Sequence, residues 1–457
     1  MRILIKNGTI VKSTGRRKAD VLVKNGRIAR IAPEINEAAD RVIDASGCYV
    51  FAGFIDTHTH FDLDLGTTVT ADDFESGTKA AIVGGTTTVL DFATQDKGMT
   101  MRDALNVWHK KADGRSSCNY GFHMAVSEWN DARKAEVDDM FRAGVSSFKM
   151  YMVYDTMKLS DGQIYDAQKF INERGGIIGV HCENYDVLQA RIAEEKAKGH
   201  TDPTAHPVTR PQAVEAEGVA RLMRIAELSK APAWVVHLST ADGLSEVKRA
   251  RKRGIEVYAE TCPQYITLDV SQYAEPDGAK YVMSPPLREA SDRMAILDGM
   301  RRKDIDFIGT DHCSFTMAQK AMGKDDFSKI PNGGAGVQNR AELVYTYAVE
   351  TGAISLEQMA LLLSERAAKL FGMYPKKGVL RVGADADLVI FDPNDPHTIS
   401  WKTNLHACDN SPYEGMQVSG RTRDVLLNGE LVVENGRLIA PRRGTYVFRK
   451  PCIRYRS

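Results

Sequence analysis

Through the middle of the chain, apolar residues fall in short continuous runs separated by stretches with helical spacing. The runs are GFIDTH (53–58), TTTVLDF (86–92), YGFHMAV (120–126), SSFKMYM (146–152), GIIGVH (176–181), AWVVHLS (233–239), IEVYAET (255–261) and DFIGTD (306–311). Continuous rather than alternating apolar character predicts strands buried on both faces, as in a parallel sheet. Between them, DARKAEVDDMFRAG, PQAVEAEGVARLMRIAELSK and GLSEVKRARKRG read as helices. The last carries a basic final turn followed by glycine, which a helix C-terminus favours. Eight strand–helix units over roughly 260 residues match the size of a (β/α)8 barrel. A doubly wound open sheet is the structural alternative.

The two ends follow a different pattern. ILIKNGTIV and ADVLVKNGRIARIAP near the start, and DVLLNGELVVENGRLIA near the end, are apolar or alternating runs broken at Asn-Gly. Asn-Gly suits the positive-φ positions of tight hairpin turns, so Asn7-Gly8, Asn25-Gly26, Asn428-Gly429 and Asn435-Gly436 each predict a hairpin. Shared grammar at opposite ends predicts one small β-sandwich built from residues 1–52 together with 374–457, with DADLVIFDP (385–393) returning the chain to it. The (β/α)8 TIM-like barrel then occupies 53–373. Two unrelated β-extensions are the plainer alternative.

Composition narrows the function classes. Lys plus Arg equals Asp plus Glu at 60 each, with no block of either sign, so nucleic acid and membrane surfaces are not expected partners. MRILIKNGTIV lacks the apolar core of a signal peptide, and no run reaches the roughly 18–20 residues of a membrane span. Seven dispersed cysteines without a CxxC fit a reducing compartment, and a cytoplasmic enzyme is expected.

The polar residues at the strand ends carry the chemistry. In a barrel of this type, catalytic groups gather at the C-terminal ends of the strands. His58 closes the first run, and His60 lies two residues on, on the same side of an extended chain. Lys149 lies in the fourth run, His181 ends the fifth, His237 lies in the sixth, and Asp311 ends the eighth. A lone strand-end histidine is more often a hydrogen-bonded structural residue than a ligand. Ligand-type residues at the same end of five strands point instead to a metal centre. His109, His123, His200, His206, His312, His397 and His406 lack this combination and read as structural or surface residues.

An ammonium cannot ligate a metal, so Lys149 needs a chemical change. Burial among SSFKMYM depresses its pKa and favours the neutral amine. A neutral amine can add carbon dioxide to give an anionic carbamate with two oxygens, able to bridge two ions. Alternatively, the stem packs in the barrel wall and the head reaches solvent.

GFIDTHTH, SSFKMYM, IIGVHCEN, AWVVHLS and GTDHCSF resemble the successive metal motifs of the amidohydrolase superfamily. TVTADDFESGTKAA, GGTTTVLDF, TCPQY, YVMSPPLR and IPNGG are similar to further motifs of its cyclic-amide branch, the D-hydantoinase/dihydropyrimidinase family. The resemblance runs nearly end to end. It implies a barrel with a β-sandwich, a homotetramer, and two divalent metal ions bridged by carboxylated Lys149. By motif position, His58, His60 and Asp311 hold the more buried ion and His181 and His237 the other. Zinc suits this donor set, and manganese or cobalt could take its place.

The same resemblance implies hydrolysis of hydantoins or dihydropyrimidines to N-carbamoyl amino acids by a hydroxide bridging the two ions. A metal can lower the pKa of bound water from about 15.7 to about 7. Tyr154 matches the family's oxyanion donor, and Asp311 its proton carrier. Ser284 and Asn332 match residues that read the ring's amide edge through main-chain groups. Without the resemblance these three would read as a core tyrosine and two turn residues.

Dihydroorotase-like relatives carry an arginine two residues after the second histidine, to hold a substrate carboxylate. Asp62 stands there, which argues against a carboxylate-bearing ring, while Leu63 and Leu65 offer apolar surface to a ring substituent. Cys182, where relatives often have alanine, reads as a small core residue. Allantoinase is the near alternative. A mononuclear deaminase gives Lys149 no role. A scaffold homologue such as the collapsin response mediators lacks metal ligands, whereas all six are present here.

Overall fold

A computed structural model describes residues 1–456. Its centre is one sheet of eight parallel strands in sequential order: Phe54–Thr59, Thr86–Gln95, Asn119–Val126, Ser147–Tyr151, Ile177–His181, Ala233–Val235, Val257–Thr261 and Phe307–Ile308. All eight predicted runs are strands, and their side chains are buried on both faces almost without exception. The three helices foreseen are Asp131–Arg142, Gln212–Ser229 and Ala241–Lys252. Many barrel helices begin at a side-chain cap: Asp73, Thr100, Asn130, Ser160, Asn184 and Thr240 each accept from a backbone N–H of the first turn. Each such cap contributes about 1 kcal/mol and fixes where the loop above the strand ends.

The first and eighth strands close the barrel through side chains as well as backbone bonds. The buried Arg340 guanidinium donates to Ile55 O and Ile308 O, both at 2.7 Å, one carbonyl from each side of the seam. Asp56 accepts from Thr310 N at 3.1 Å and Thr310 Oγ1 at 2.7 Å. Above them, His60 N donates to His312 O at 2.8 Å. The seam therefore holds the ends carrying His58 and Asp311 in fixed register.

Both ends of the chain contribute to a seven-stranded sheet, in which Leu388–Asp392 pairs antiparallel with Tyr49–Ala52. A four-stranded sheet within residues 2–44 packs on it through Ile3, Ile5, Val21, Val23, Val50, Leu388 and Ile390. Asn25-Gly26, Asn428-Gly429 and Asn435-Gly436 have positive φ at both residues and close hairpins as predicted. Asn7-Gly8 departs from its prediction. Arg2–Lys6 and Thr9–Lys12 lie in different sheets, so the pair turns a corner between them. A side chain on Gly8 would meet Val50 at 2.6 Å, so close sheet packing rather than hairpin geometry selects this glycine.

The last residues also depart from expectation. Counted with the sandwich on sequence grounds, they run under the barrel. Val447 N donates to Tyr120 O at 2.7 Å and Cys452 N to Gly175 O at 2.9 Å. Arg449, 1% exposed, donates to Ser147 Oγ at 2.7 Å and to Phe122 O. The short polar character of RGTYVFRKPCIRY hid this role, because its partners lie on strands and turns distant in the sequence. No helix among the described residues is long and apolar enough to cross a membrane.

Candidate metal centre

The first strand delivers His58 and His60 to one side, with ring centroids 5.2 Å apart. Asp311 meets them from the loop after the eighth strand. A single carboxylate oxygen, Oδ1, lies 3.1 Å from His58 Nε2 and 3.2 Å from His60 Nε2. Three donors thus converge on one point, as an ion would require. Lys149 rises from the fourth strand, 2% exposed, with Nζ 2.8 Å from His58 Nε2 and 4.2 Å above the Phe92 ring. His181 ends the fifth strand and His237 follows the sixth, with their rings 4.5 Å apart. The His237 ring is in turn 5.3 Å from His58. All six residues singled out from the sequence therefore meet at one end of the barrel. Tyr154 stands beside them, its ring 5.2 Å from His181.

Three of these residues hold backbone conformations that L-residues avoid: φ is 38° at His237, 53° at Asp311 and 70° at Tyr154. Such conformations cost about 1–3 kcal/mol each and persist where surrounding structure enforces them. At His237 that structure is Glu260, which accepts from the His237 N–H at 3.2 Å.

Glu260 is the residue that sequence reasoning missed. It is fully buried, and its Oε1 lies 2.5 Å from His58 Nδ1 while Oε2 accepts from Thr57 Oγ1 at 3.0 Å. A carboxylate on Nδ1 leaves Nε2 to face the site. Glu183 engages the other nitrogen of His181, with Oε2 2.7 Å from its Nε2, which leaves Nδ1 free, and Arg210 neutralises that carboxylate from 2.6 Å. The signal was present: Glu260 in VYAET and Glu183 in HCEN are charges set in buried segments, where a charge needs a partner.

Electrostatics suit a cation. Burial pushes Lys149 down to about 8 and His60 down to about 4, and lowers His181 and His237 as well. These three imidazoles are neutral at neutral pH, the form that binds metal. For Asp311, burial works upward, but His58 and His60 outweigh it and hold the carboxyl well below its usual range. Burial and Lys149 lower His58, yet Glu260 and Asp311 prevail and raise it. His237 Nδ1 is buried with no hydrogen-bond partner, which leaves a free donor atom in the site. The donor set fits a divalent cation.

Ser284 and Asn332 are likewise marked by unpaired atoms: Ser284 Oγ and Asn332 Oδ1 are buried without a partner. His123 lies near the cluster but is engaged on both nitrogens, by Ser147 Oγ at 2.5 Å and Thr57 O at 3.1 Å. Cys182 is buried, its thiol pushed up by burial and directed at Val180 O. Asp62 sits at φ 56°, its carboxylate 4.0 Å from Arg115, and Leu65 on the same loop is 44% exposed.

Comparison with known proteins agrees with this geometry. The Amidohydrolase family model matches residues 49–432. A D-hydantoinase of Geobacillus stearothermophilus is 44% identical over 455 residues, 98% of this chain and 97% of that protein. A D-phenylhydantoinase of Escherichia coli is 39% identical, covering 99% of both. The crystal structure of a dihydropyrimidinase from Brevibacillus agri superposes over the whole of both chains with a TM-score of 0.98 at 40% identity. Motifs, barrel, strand-end donors and full-length similarity agree: the chain is an amidohydrolase of the D-hydantoinase/dihydropyrimidinase family.

Proposed function

We propose that this enzyme opens the ring of hydantoins or dihydropyrimidines by hydrolysis, yielding N-carbamoyl amino acids, with two divalent ions and a carboxylated Lys149. The observation that carries the reading is Lys149 Nζ, buried at 2.8 Å from a ligand-type imidazole nitrogen and beside a second histidine pair. An ammonium there would repel any cation, whereas a carbamate would join the two halves of the site. Burial keeps a neutral fraction of the amine available at neutral pH. Addition of carbon dioxide forms the N–C bond and releases the amine proton. His58, His60 and Asp311 would hold one ion, His181 and His237 the other, and Lys149 both. Zinc fits these nitrogen and oxygen donors.

When bound, the ions supply an acidified water and polarise the scissile carbonyl. The protein supplies the rest. Asp311, ionised in this setting, takes the proton of the attacking water and delivers it to the departing ring nitrogen. Tyr154, whose hydroxyl is kept protonated by burial, donates to the oxyanion as the carbonyl becomes tetrahedral. Backbone groups at Ser284 and Asn332 receive the amide edge of the ring. Asp62, turned toward Arg115, offers nothing to a substrate carboxylate. A homotetramer in the cytoplasm completes the proposal.

The test is turnover of hydantoin, dihydrouracil, 5-phenylhydantoin and allantoin by the metal-loaded enzyme. Ring opening of the first three with poor use of allantoin is expected. Preferential turnover of allantoin would replace this reading with the allantoinase one.

A further inference from the structure

Lys320 is a buried lysine that the mechanism above leaves unused. It ends the short helix Met317–Lys320 on the segment that follows Asp311, and it is 1% exposed. Its Nζ donates to three carbonyl oxygens: Val282 at 2.8 Å, Pro331 at 2.7 Å and Gly333 at 2.7 Å. An ammonium has three N–H groups, so all are engaged. Burial pushes this lysine down to about 7, and hydrogen bonds from the charged form to three carbonyl oxygens favour the ammonium.

The carbonyls belong to two separate segments. Val282 lies just before Ser284, and Pro331 and Gly333 flank Asn332. Gly333 N also donates to Val282 O at 2.9 Å, and Cys313 N to Gly334 O at 3.1 Å. Gly333 has φ 146°, and a Cβ there would lie 2.3 Å from Cys313 O. The turn is thus pressed between the Ser284 segment and the loop that carries Asp311. Around it the backbone is tied, while Ser284 Oγ and Asn332 Oδ1 are left without partners. Preorganised groups of this kind bind a ligand without the cost of ordering a loop.

We propose that Lys320 is a positioning residue for substrate binding, whose ammonium locks the Ser284 segment and the Asn332 turn into one clamp for the ring's amide edge. This rests on the reading of Ser284 and Asn332 as substrate-binding residues. The Lys320 ammonium makes its hydrogen bonds only to Val282, Pro331 and Gly333, so the experiment reads metal content beside substrate binding.

The experiment compares wild type with Lys320→Met for KM and kcat on dihydrouracil and 5-phenylhydantoin, together with metal content. The expected result is a KM raised ~10-fold or more on both rings, kcat changed by less than ~3-fold, and wild-type metal content. Unchanged KM in the folded variant overturns the proposal. So does a parallel fall in kcat and metal content, which a purely structural role would give. If Lys320→Met does not fold, Lys320→Gln, which keeps a polar donor but not three N–H groups on one atom, is measured in the same way. A KM-selective loss there supports the clamp, and an unchanged KM overturns it. A wild type that opens neither ring overturns the cyclic-amide reading and the clamp with it.

Discussion

Replacing Glu260 with glutamine should loosen the metal centre while leaving the barrel folded. The buried carboxylate serves three groups: His58 Nδ1 at 2.5 Å, His237 N at 3.2 Å and Thr57 Oγ1 at 3.0 Å. Alanine would leave all three without an acceptor, at about 1–3 kcal/mol each, which threatens folding itself. Glutamine keeps the shape and one carbonyl oxygen, but removes the charge that makes His58 a strong donor through Nε2. Loss of such a partner typically costs ~10–100-fold in metal affinity. That corresponds to about 1.4–2.7 kcal/mol. The assay is competition against a chelator, with bound metal counted after dialysis, alongside thermal unfolding of the metal-free protein. Metal affinity should fall by that factor, with the metal-free Tm nearly unchanged. A Glu260→Gln protein that binds metal as tightly as wild type would refute the claim that Glu260 sets the donor strength of His58.

Two further outcomes follow from the geometry. Tyr154→Phe should lose ~100–1,000-fold in kcat with little change in metal content, the usual effect of removing an oxyanion donor; a loss under tenfold in steady-state kinetics would assign the oxyanion to other groups. His206 and His406 are held by burial at about 3 and about 4, below the 6.5 of a free imidazole. The unfolded chain therefore takes up protons first as pH falls, so stability is full above about 6.5 and drops below it, by about 1.4 kcal/mol per pH unit per histidine. In metal-free protein, His406→Gln should flatten denaturant-measured stability between pH 6.5 and 4, and an unchanged slope would show that His406 does not titrate as its burial requires.

Much of the arrangement was legible in the sequence because it depends on periodicity. Strands buried on both faces are continuous apolar runs, and a residue at the end of such a run points toward the mouth of a barrel. That logic located His58, His181 and Asp311 from position alone, with His60, Lys149 and His237 from their places near the same ends. Asn-Gly turns worked where both residues needed positive φ, and failed at Asn7-Gly8, where the glycine serves sheet packing. The supporting residues were less visible. Glu260, Arg340 and Lys320 act through partners 11 to 285 positions away along the chain, and the Arg210 that pairs with Glu183 is 27 positions from it, distances that no local pattern encodes. The C-terminal segment escaped for the same reason, since it is held by backbone and Arg449 side-chain bonds to strands and turns it does not adjoin in sequence.

The most direct test of the account is the metal content of wild type and Lys149→Ala, measured together with hydantoin hydrolysis. About two ions per wild-type chain, with both metal and activity lost in the variant, is the result predicted for a carboxylated lysine that joins two sites. One ion per chain in wild type, or a variant that retains full activity, would contradict the bridging role of Lys149 and remove the two-ion mechanism.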